Sequence, residues 1–404
     1  MTVNAAFCPA ALAADRAPVV GLSALAPAVR PLVRRGDADK LVFAGAETGD
    51  FLFGVNAGGL LVALFEYPSR LESPSKGCPA AEAAQAALDE AGSATGALQV
   101  LLRLLGRGFV CSARGRQAAF LLACADELLL LETANELWAW RALDDLGAVC
   151  SDWFLAGKYK LAHPDAAGHP AAKNGALDFG AAFGRKNAGS LRRLSATQVL
   201  YTLANGRPVP DWRSVLLGGD AKTDPAEGVD FITMRQVLAQ SDPARPAAES
   251  MSVDPLAAKD LCTAGAAVFL PRSRVLWFTS GAVPHRALYT AVSLDALPDV
   301  TPAQSQAEWL EWEIVRRSAA LGGLSDRSYV EALTDAQERI DRLPRRDSLT
   351  ADSAAIEQQV RRSLLEQCRP LSESLPLRPL RRARARRENE AVLRQLQALS
   401  ARQG

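Results

Sequence analysis

The stretch that decides the fold runs from 117 to 143, QAAFLLACADELLLLETANELWAWRAL. Gln117 to Ala125 fits a buried helix, being apolar on every face. Glu127 to Glu132 and Glu136 to Leu143 fit strands around an Ala134-Asn135 turn. Periodicity does not arbitrate a run as uniformly apolar as LLLLE, so the helix and strand readings both stand at this point.

Upstream the signals are sharper. Leu41 to Ala46, Phe51 to Val55 and Leu60 to Tyr67 are apolar runs, and Asn56-Ala57-Gly58-Gly59 joins the last two. That connector tolerates positive φ, so it predicts a hairpin. Residues 21 to 35 read as a short helix broken near Pro27 and Pro31, and Ala81 to Ala91 and Ala97 to Leu105 as helices. On the strand reading of 109 to 143, a helix followed by paired strands occurs twice. Runs at Ala266 to Leu270, Val275 to Thr279 and Ala287 to Leu294 predict a third sheet. From residue 301 the chain reads as helices near Pro302 to Leu321, Asp326 to Leu343, Ala351 to Cys368 and Arg381 to Ala401, with Thr301-Pro302 and Thr350 as N-terminal caps. The expected class is α+β, with antiparallel sheet units and packed helices, followed by an all-helical C-terminal region. The expected division is an α+β domain over 1–160, a second over 175–300 and the helical region over 301–404.

Composition bounds the rest. The chain has 404 residues, 49% of them hydrophobic, which excludes wholesale disorder. The 46 basic residues nearly balance 45 acidic ones, but only eight of the 46 are lysine. With the abundant alanine, this points to a GC-rich genome, bacterial or that of a large DNA virus. Seven scattered cysteines, at 8, 78, 111, 124, 150, 262 and 368, point to reduced core residues and a cytoplasmic setting, or a host nucleus if the source is viral. No positive segment followed by an apolar one opens the chain, and Gln117 to Leu131 is too short and too charged to cross a bilayer, so neither a signal peptide nor a membrane is expected.

Two constellations carry candidate chemistry. Arg378, Arg381, Arg382, Arg384, Arg386 and Arg387 place six guanidinium groups in ten residues. The segment 378–402 has a net charge of +6, leaving −5 for the rest of a chain whose total is +1. At 100° per residue the cluster surrounds its helix, so it cannot pack into a core on any side. Guanidinium forks bind phosphate bidentately, and the natural partner is nucleic acid or an acidic protein surface. Val392, Leu396 and Leu399 follow at i, i+4 and i+7 and could dock on an assembly partner.

The second constellation is Pro210-Asp211 with Asp220-Ala221-Lys222. Two carboxylates to hold Mg²⁺ and a lysine near the attacking water are what metal-dependent phosphodiester hydrolysis needs. The pattern resembles the PD-(D/E)xK nuclease motif, and that resemblance implies Mg²⁺ as cofactor with Asp211, Asp220 and Lys222 as its catalytic set. Gly218-Gly219 and Thr223-Asp224-Pro225 flank it with turn chemistry, and no upstream acid is assignable as the further ligand.

Other chemistry is thin. His163, His169 and His285 are the three histidines, without a CxxC pair to complete a zinc site or a GxSxG elbow to supply a serine nucleophile. Trp138, Trp140, Trp153, Trp212, Trp277, Trp309 and Trp312 read as core or packing residues, since few basic residues interleave with them. The sequence therefore favours a non-catalytic interaction or scaffold protein, clamp-like or part of a larger assembly, with no cofactor and no metal site. The Mg²⁺-dependent nuclease is the alternative.

Overall fold

The computed structural model describes residues 2–26, 31–35, 40–45, 51–150, 152–155, 158–185, 189–205, 228–239, 251, 262–279, 287–297, 308, 311–312, 314–315, 318, 326–344 and 348–368. In chain order the strands are β1 (Thr2–Cys8), β2 (Val19–Ala26), β3 (Pro31–Arg35), β4 (Lys40–Gly45), β5 (Phe51–Asn56) and β6 (Leu61–Pro68). After the helices α1 (Ala80–Glu90) and α2 (Ala94–Leu105) come β7 (Arg116–Ala123), β8 (Leu128–Ala134), β9 (Leu137–Ala142), β10 (Gly147–Cys150) and β11 (Leu161–Ala162). Then follow α3 (Phe179–Phe183), α4 (Gly189–Asn205), α5 (Phe231–Leu238), β12 (Cys262–Leu270), β13 (Val275–Thr279), β14 (Tyr289–Ser293), α6 (Asp326–Asp341) and α7 (Leu349–Gln367). The class is α+β, with antiparallel sheets and a C-terminal helical stretch.

The decisive stretch is three strands. β7 pairs antiparallel with β6 from Leu61↔Ala123 to Pro68↔Arg116, and with β8 from Ala119↔Glu132 to Ala123↔Leu128. Gln117 to Cys124 is therefore not a helix. Its alternation is invisible in the sequence because both faces are covered: Ala119, Leu121 and Ala123 face one core, Ala118, Phe120 and Leu122 another. Asn135, at φ 53°, turns β8 into β9, as expected. The Asn56 hairpin also forms, with Gly59 N–H donating to Asn56 O at 2.9 Å and Gly59 at φ +86°.

Two other expectations need correction. Residues 21 to 35 give the end of β2 and β3, not a broken helix. Val20, Leu22 and Ala24 face one core while Gly21 and Ser23 alternate with them, too small to register as a pattern. Gly21 is needed there because a Cβ would lie 2.6 Å from Met234 Cγ on α5. Strands 262–293 form, but not as a third sheet. β12 pairs with β2 from Cys262↔Ala26 to Phe269↔Val20, so the chain returns to its first sheet.

The result is one six-stranded sheet, β10-β1-β2-β12-β13-β14, and one eight-stranded sheet, β11-β9-β8-β7-β6-β5-β4-β3. A core of Phe7, Leu22, Phe43, Phe53, Phe65, Leu121, Leu130 and Phe269, among others, lies between them. A second core covers the outer face of the eight-stranded sheet with α1 and α2, through Ala84, Leu88, Leu98 and Leu101. A third covers the outer face of the six-stranded sheet with α4 to α7, through Leu200, Met234, Tyr329 and Leu364. The layers run helix, sheet, sheet, helix, which is how two sheets with both faces apolar are satisfied at once. Thr350 is inside the first turn of α7 instead of capping it, and its Oγ1 accepts the Ser293 N–H at 2.8 Å.

Candidate functional site

β10 ends at Cys150, opposite Asn4 near the start of β1. The chain then leaves the six-stranded sheet and reaches the eight-stranded one at β11, which pairs with β9. Trp153 and Leu155 of this crossover pack into the core between the sheets. Glu132, on β8 between Ala119 and Ala139, fastens the crossover. The Phe154 N–H donates to Glu132 Oε1 at 2.6 Å and the Leu155 N–H to Oε2 at 3.1 Å.

Glu132 is fully buried, in a run that is otherwise leucine. Burial pushes its carboxyl up to about 7, against the lowering effect of those two N–H bonds and of Arg193. Tyr67 is fully buried at the end of β6, edge-on to Trp153 with ring centres 5.5 Å apart. Its phenol is held well above its ordinary range by burial, then by Glu132 and Asp152, so it stays protonated and able to donate. The Tyr67 hydroxyl has no hydrogen-bond partner among the described residues.

Arg193, on α4, completes the group. It pairs with Asp152 at 3.5 Å and lies over the Phe154 ring at 5.7 Å. Its field acts on Tyr67, Glu132, Cys150 and Asp152 together. Burial raises the Asp152 carboxyl and Arg193 offsets this, while burial also lowers the neighbouring Arg192. The Cys150 thiol is pushed up to about 12 by burial despite both arginines, so it is not a ready thiolate. The Asp152 and Arg193 side chains are 20% and 21% exposed, which makes theirs the open side of an otherwise enclosed cluster.

A polar row continues from it under α4. Cys150, Asn4, Ser23 and Ala266 stand side by side across three strand pairings. Asn4 Oδ1 and Nδ2, Ser23 Oγ, Thr197 Oγ1 on α4 and Arg193 Nε are buried without partners among the described residues. A concentration of such atoms at one end of a sheet is unusual in a packed interior, and functional sites are where it occurs.

In the sequence Cys150 and Trp153 read only as core residues, and Tyr67, Glu132, Asp152, Arg193, Asn4 and Ser23 do not stand out. The signal that could have found them is Glu132 itself, one carboxylate inside a strand buried on both faces. Asp211, Asp220 and Lys222, and Arg378, Arg381, Arg382, Arg384, Arg386 and Arg387, lie outside the described residues. His163 and His169 cap local turns, their Nδ1 atoms accepting the Asp165 and Ala171 N–H groups, and His285 lies outside the described residues. Trp153, Trp277 and Trp312 are core residues, whereas Trp138 and Trp140 are half-buried on the outer face of the eight-stranded sheet. Among the described residues no group of three His, Cys, Asp or Glu is placed to hold a metal ion, and no helix is long and apolar enough to cross a membrane.

No family model and no curated protein matches the chain. Among solved structures it is similar to penicillin V acylase from Agrobacterium tumefaciens, with TM-score 0.37, 13% identity and coverage of 72% of this chain and 86% of that one. It is also similar to a mutant conjugated bile acid hydrolase from Clostridium perfringens, with TM-score 0.37, 11% identity and coverage of 74% and 95%. Both are enzymes by name. The expectation of a non-catalytic interaction or scaffold protein is corrected on that finding. Likeness of this degree transfers no substrate and no residue role, so the functional reading below rests on the Glu132 cluster.

Proposed function

We propose that the chain is an enzyme that hydrolyses a carbonyl bond, an amide or ester, at the Glu132 cluster. The observation that carries the reading is a fully buried carboxyl raised to about 7, beside a protonated phenol and a guanidinium. A carboxyl that titrates near neutrality exchanges protons in both directions at physiological pH, which is the property a general base requires.

In this reading Glu132 takes a proton from water as the water oxygen bonds to the carbonyl carbon. The Tyr67 O–H and the Arg193 guanidinium hold the negative charge that develops on the carbonyl oxygen. The proton on Glu132 then passes to the leaving nitrogen or oxygen as its bond to carbon breaks. Arg193 and Asp152, paired with each other, form the entry side. Hydrolysis of a panel of p-nitroanilides and p-nitrophenyl esters of acidic and neutral acyl groups tests it. Expected is turnover that falls below pH 7 in the wild type and drops in Glu132→Gln. Equal turnover by the wild type and Glu132→Gln on every member would overturn it.

A further inference from the structure

Outside the Glu132 cluster, the eight-stranded sheet carries a feature that its pairing alone does not require. β5 and β6 pair only from Phe53↔Ala63 to Val55↔Leu61, although β6 continues to Pro68. The cause lies on the other side of β5. Against β4, Phe43 pairs with Phe53 and Ala44 with Phe51, so Leu52 is an extra residue in a bulge that turns β5 away from β6. The gap is a cavity of about 170 Å³. The buried Val3 of β1, Phe51, Leu52 and Leu64 line it, and the half-buried Glu66 and exposed Ser112 mark its rim.

Two properties define what fits. The volume is close to that of an apolar protein cavity known to bind benzene, roughly 150 Å³, so a ring or a branched alkyl group fills it. The rim carries a fixed negative charge. Ser112 N–H donates to Glu66 Oε1 at 2.6 Å and Ser112 Oγ–H to Oε2, so the carboxylate is held without a cation. Among the described residues no basic group is within ion-pair distance of Glu66; the nearby Arg116 guanidinium donates instead to the Glu66 backbone carbonyl at 3.2 Å. Cys111, beside the rim, has its thiol pushed up to about 12 by burial and Glu66 and adds no charge at neutral pH.

We infer that this cavity is a binding site for a small amine whose apolar part, an aryl ring or branched alkyl group, enters between β5 and β6 while its ammonium pairs with Glu66. The site is separate from the Glu132 cluster, since adjacent residues of β6 serve the two: Glu66 the cavity rim, Tyr67 the buried phenol. It does not depend on the chain being a hydrolase.

Benzylamine is the probe, with toluene as the uncharged control, titrated into the full chain and followed by calorimetry and by amide chemical shifts. Benzylamine is expected to bind with Kd of about 1 mM or tighter, shifting the amides of Leu64 and Ser112. Toluene is expected to shift the same amides. Glu66→Gln should weaken benzylamine at least about 10-fold and leave toluene unchanged, because only the ion pair is lost. Ala81→Phe, which fills the cavity from the first turn of α1, should abolish both while circular dichroism confirms folding. No binding of either probe to the wild type, or an unchanged benzylamine affinity in Glu66→Gln, overturns the inference. Benzylamine binding by a wild type that hydrolyses nothing in the carbonyl panel would sink the proposed activity alone.

Discussion

The two sheets have the same relation to their helices, yet their outer faces differ. The outer face of the eight-stranded sheet, under α1 and α2, is filled by Val62, Leu64, Phe120, Leu122, Leu129 and Leu131 with alanines between them. The outer face of the six-stranded sheet, under α4 and α5, carries Asn4, Ser23 and Cys150, and Asn4 Oδ1, Asn4 Nδ2 and Ser23 Oγ have no partner among the described residues. A layer of leucine and alanine suffices to hold a helix pair on a sheet. Buried amide and hydroxyl groups add nothing to that task, and each costs about 1–3 kcal/mol when unpaired. The first face is explained by stability, and the end of the second, with Glu132 between the sheets, is explained by chemistry.

Substitutions at the chemical end should separate activity from stability. Glu132→Gln is expected to lower kcat by about 10²- to 10⁴-fold, the range of a lost general base, read in the hydrolysis assay. Circular dichroism should show the fold retained, since Gln keeps the shape and one acceptor for the Phe154 and Leu155 N–H groups. On the closed side the pattern inverts. Phe120, fully buried and edge-on to Phe109 at 5.2 Å, should cost about 3–5 kcal/mol of stability when changed to Ala, with kcat of the folded fraction unchanged. Denaturant unfolding followed by fluorescence checks this. Loss of activity without loss of stability in Phe120→Ala would erase the distinction between the two faces.

The raised Glu132 carboxyl also fixes the sign of a pH effect. Its value in the fold, about 7, lies above the ordinary 4.5, so the folded state holds the proton more tightly. Stability from this group is fully present below pH 4.5 and is lost as pH rises through 7, by up to on the order of 3 kcal/mol. Unfolding midpoints at pH 5 and pH 8 should show the drop in the wild type and a flatter profile in Glu132→Gln. The smallest effect is expected at Ser23, whose buried hydroxyl has no partner among the described residues. Ser23→Ala should raise stability by about 1 kcal/mol, the low end of the cost of an unpaired hydroxyl, whereas a loss above about 2 kcal/mol would mean the hydroxyl is satisfied in solution.

How much of this could be read from the residues differs by region. The Asn56 hairpin and the strands of 262–293 are readable because turn residues bracket short apolar runs, whereas 128–142 stays ambiguous because β8, LLLLETA, is covered on both faces. β7 was not readable, since a strand covered on both faces shows no alternation, and Gln117 to Cys124 presents only apolar and small residues. β2 was missed for a related reason, with Gly21 and Ser23 too small to mark a face. The pairing of β12 on β2 joins residues more than 230 apart, and nothing local encodes it. The cluster was hidden because Tyr67, Glu132, Asp152 and Arg193 come from four elements and share no spacing. The arginine cluster and Asp211-Asp220-Lys222 drew attention because charge is visible in a sequence and burial is not.

The central claim is that Glu132 is a buried carboxyl poised near neutrality, and carbon NMR of the side-chain carboxyls tests it directly. With glutamate labelled at Cδ and the Glu132 signal identified by its absence in Glu132→Gln, its midpoint should lie near 7. It should move higher still in Arg193→Met, because the guanidinium favours the charged form. A midpoint near 4.5, unmoved by the Arg193 change, would contradict the account.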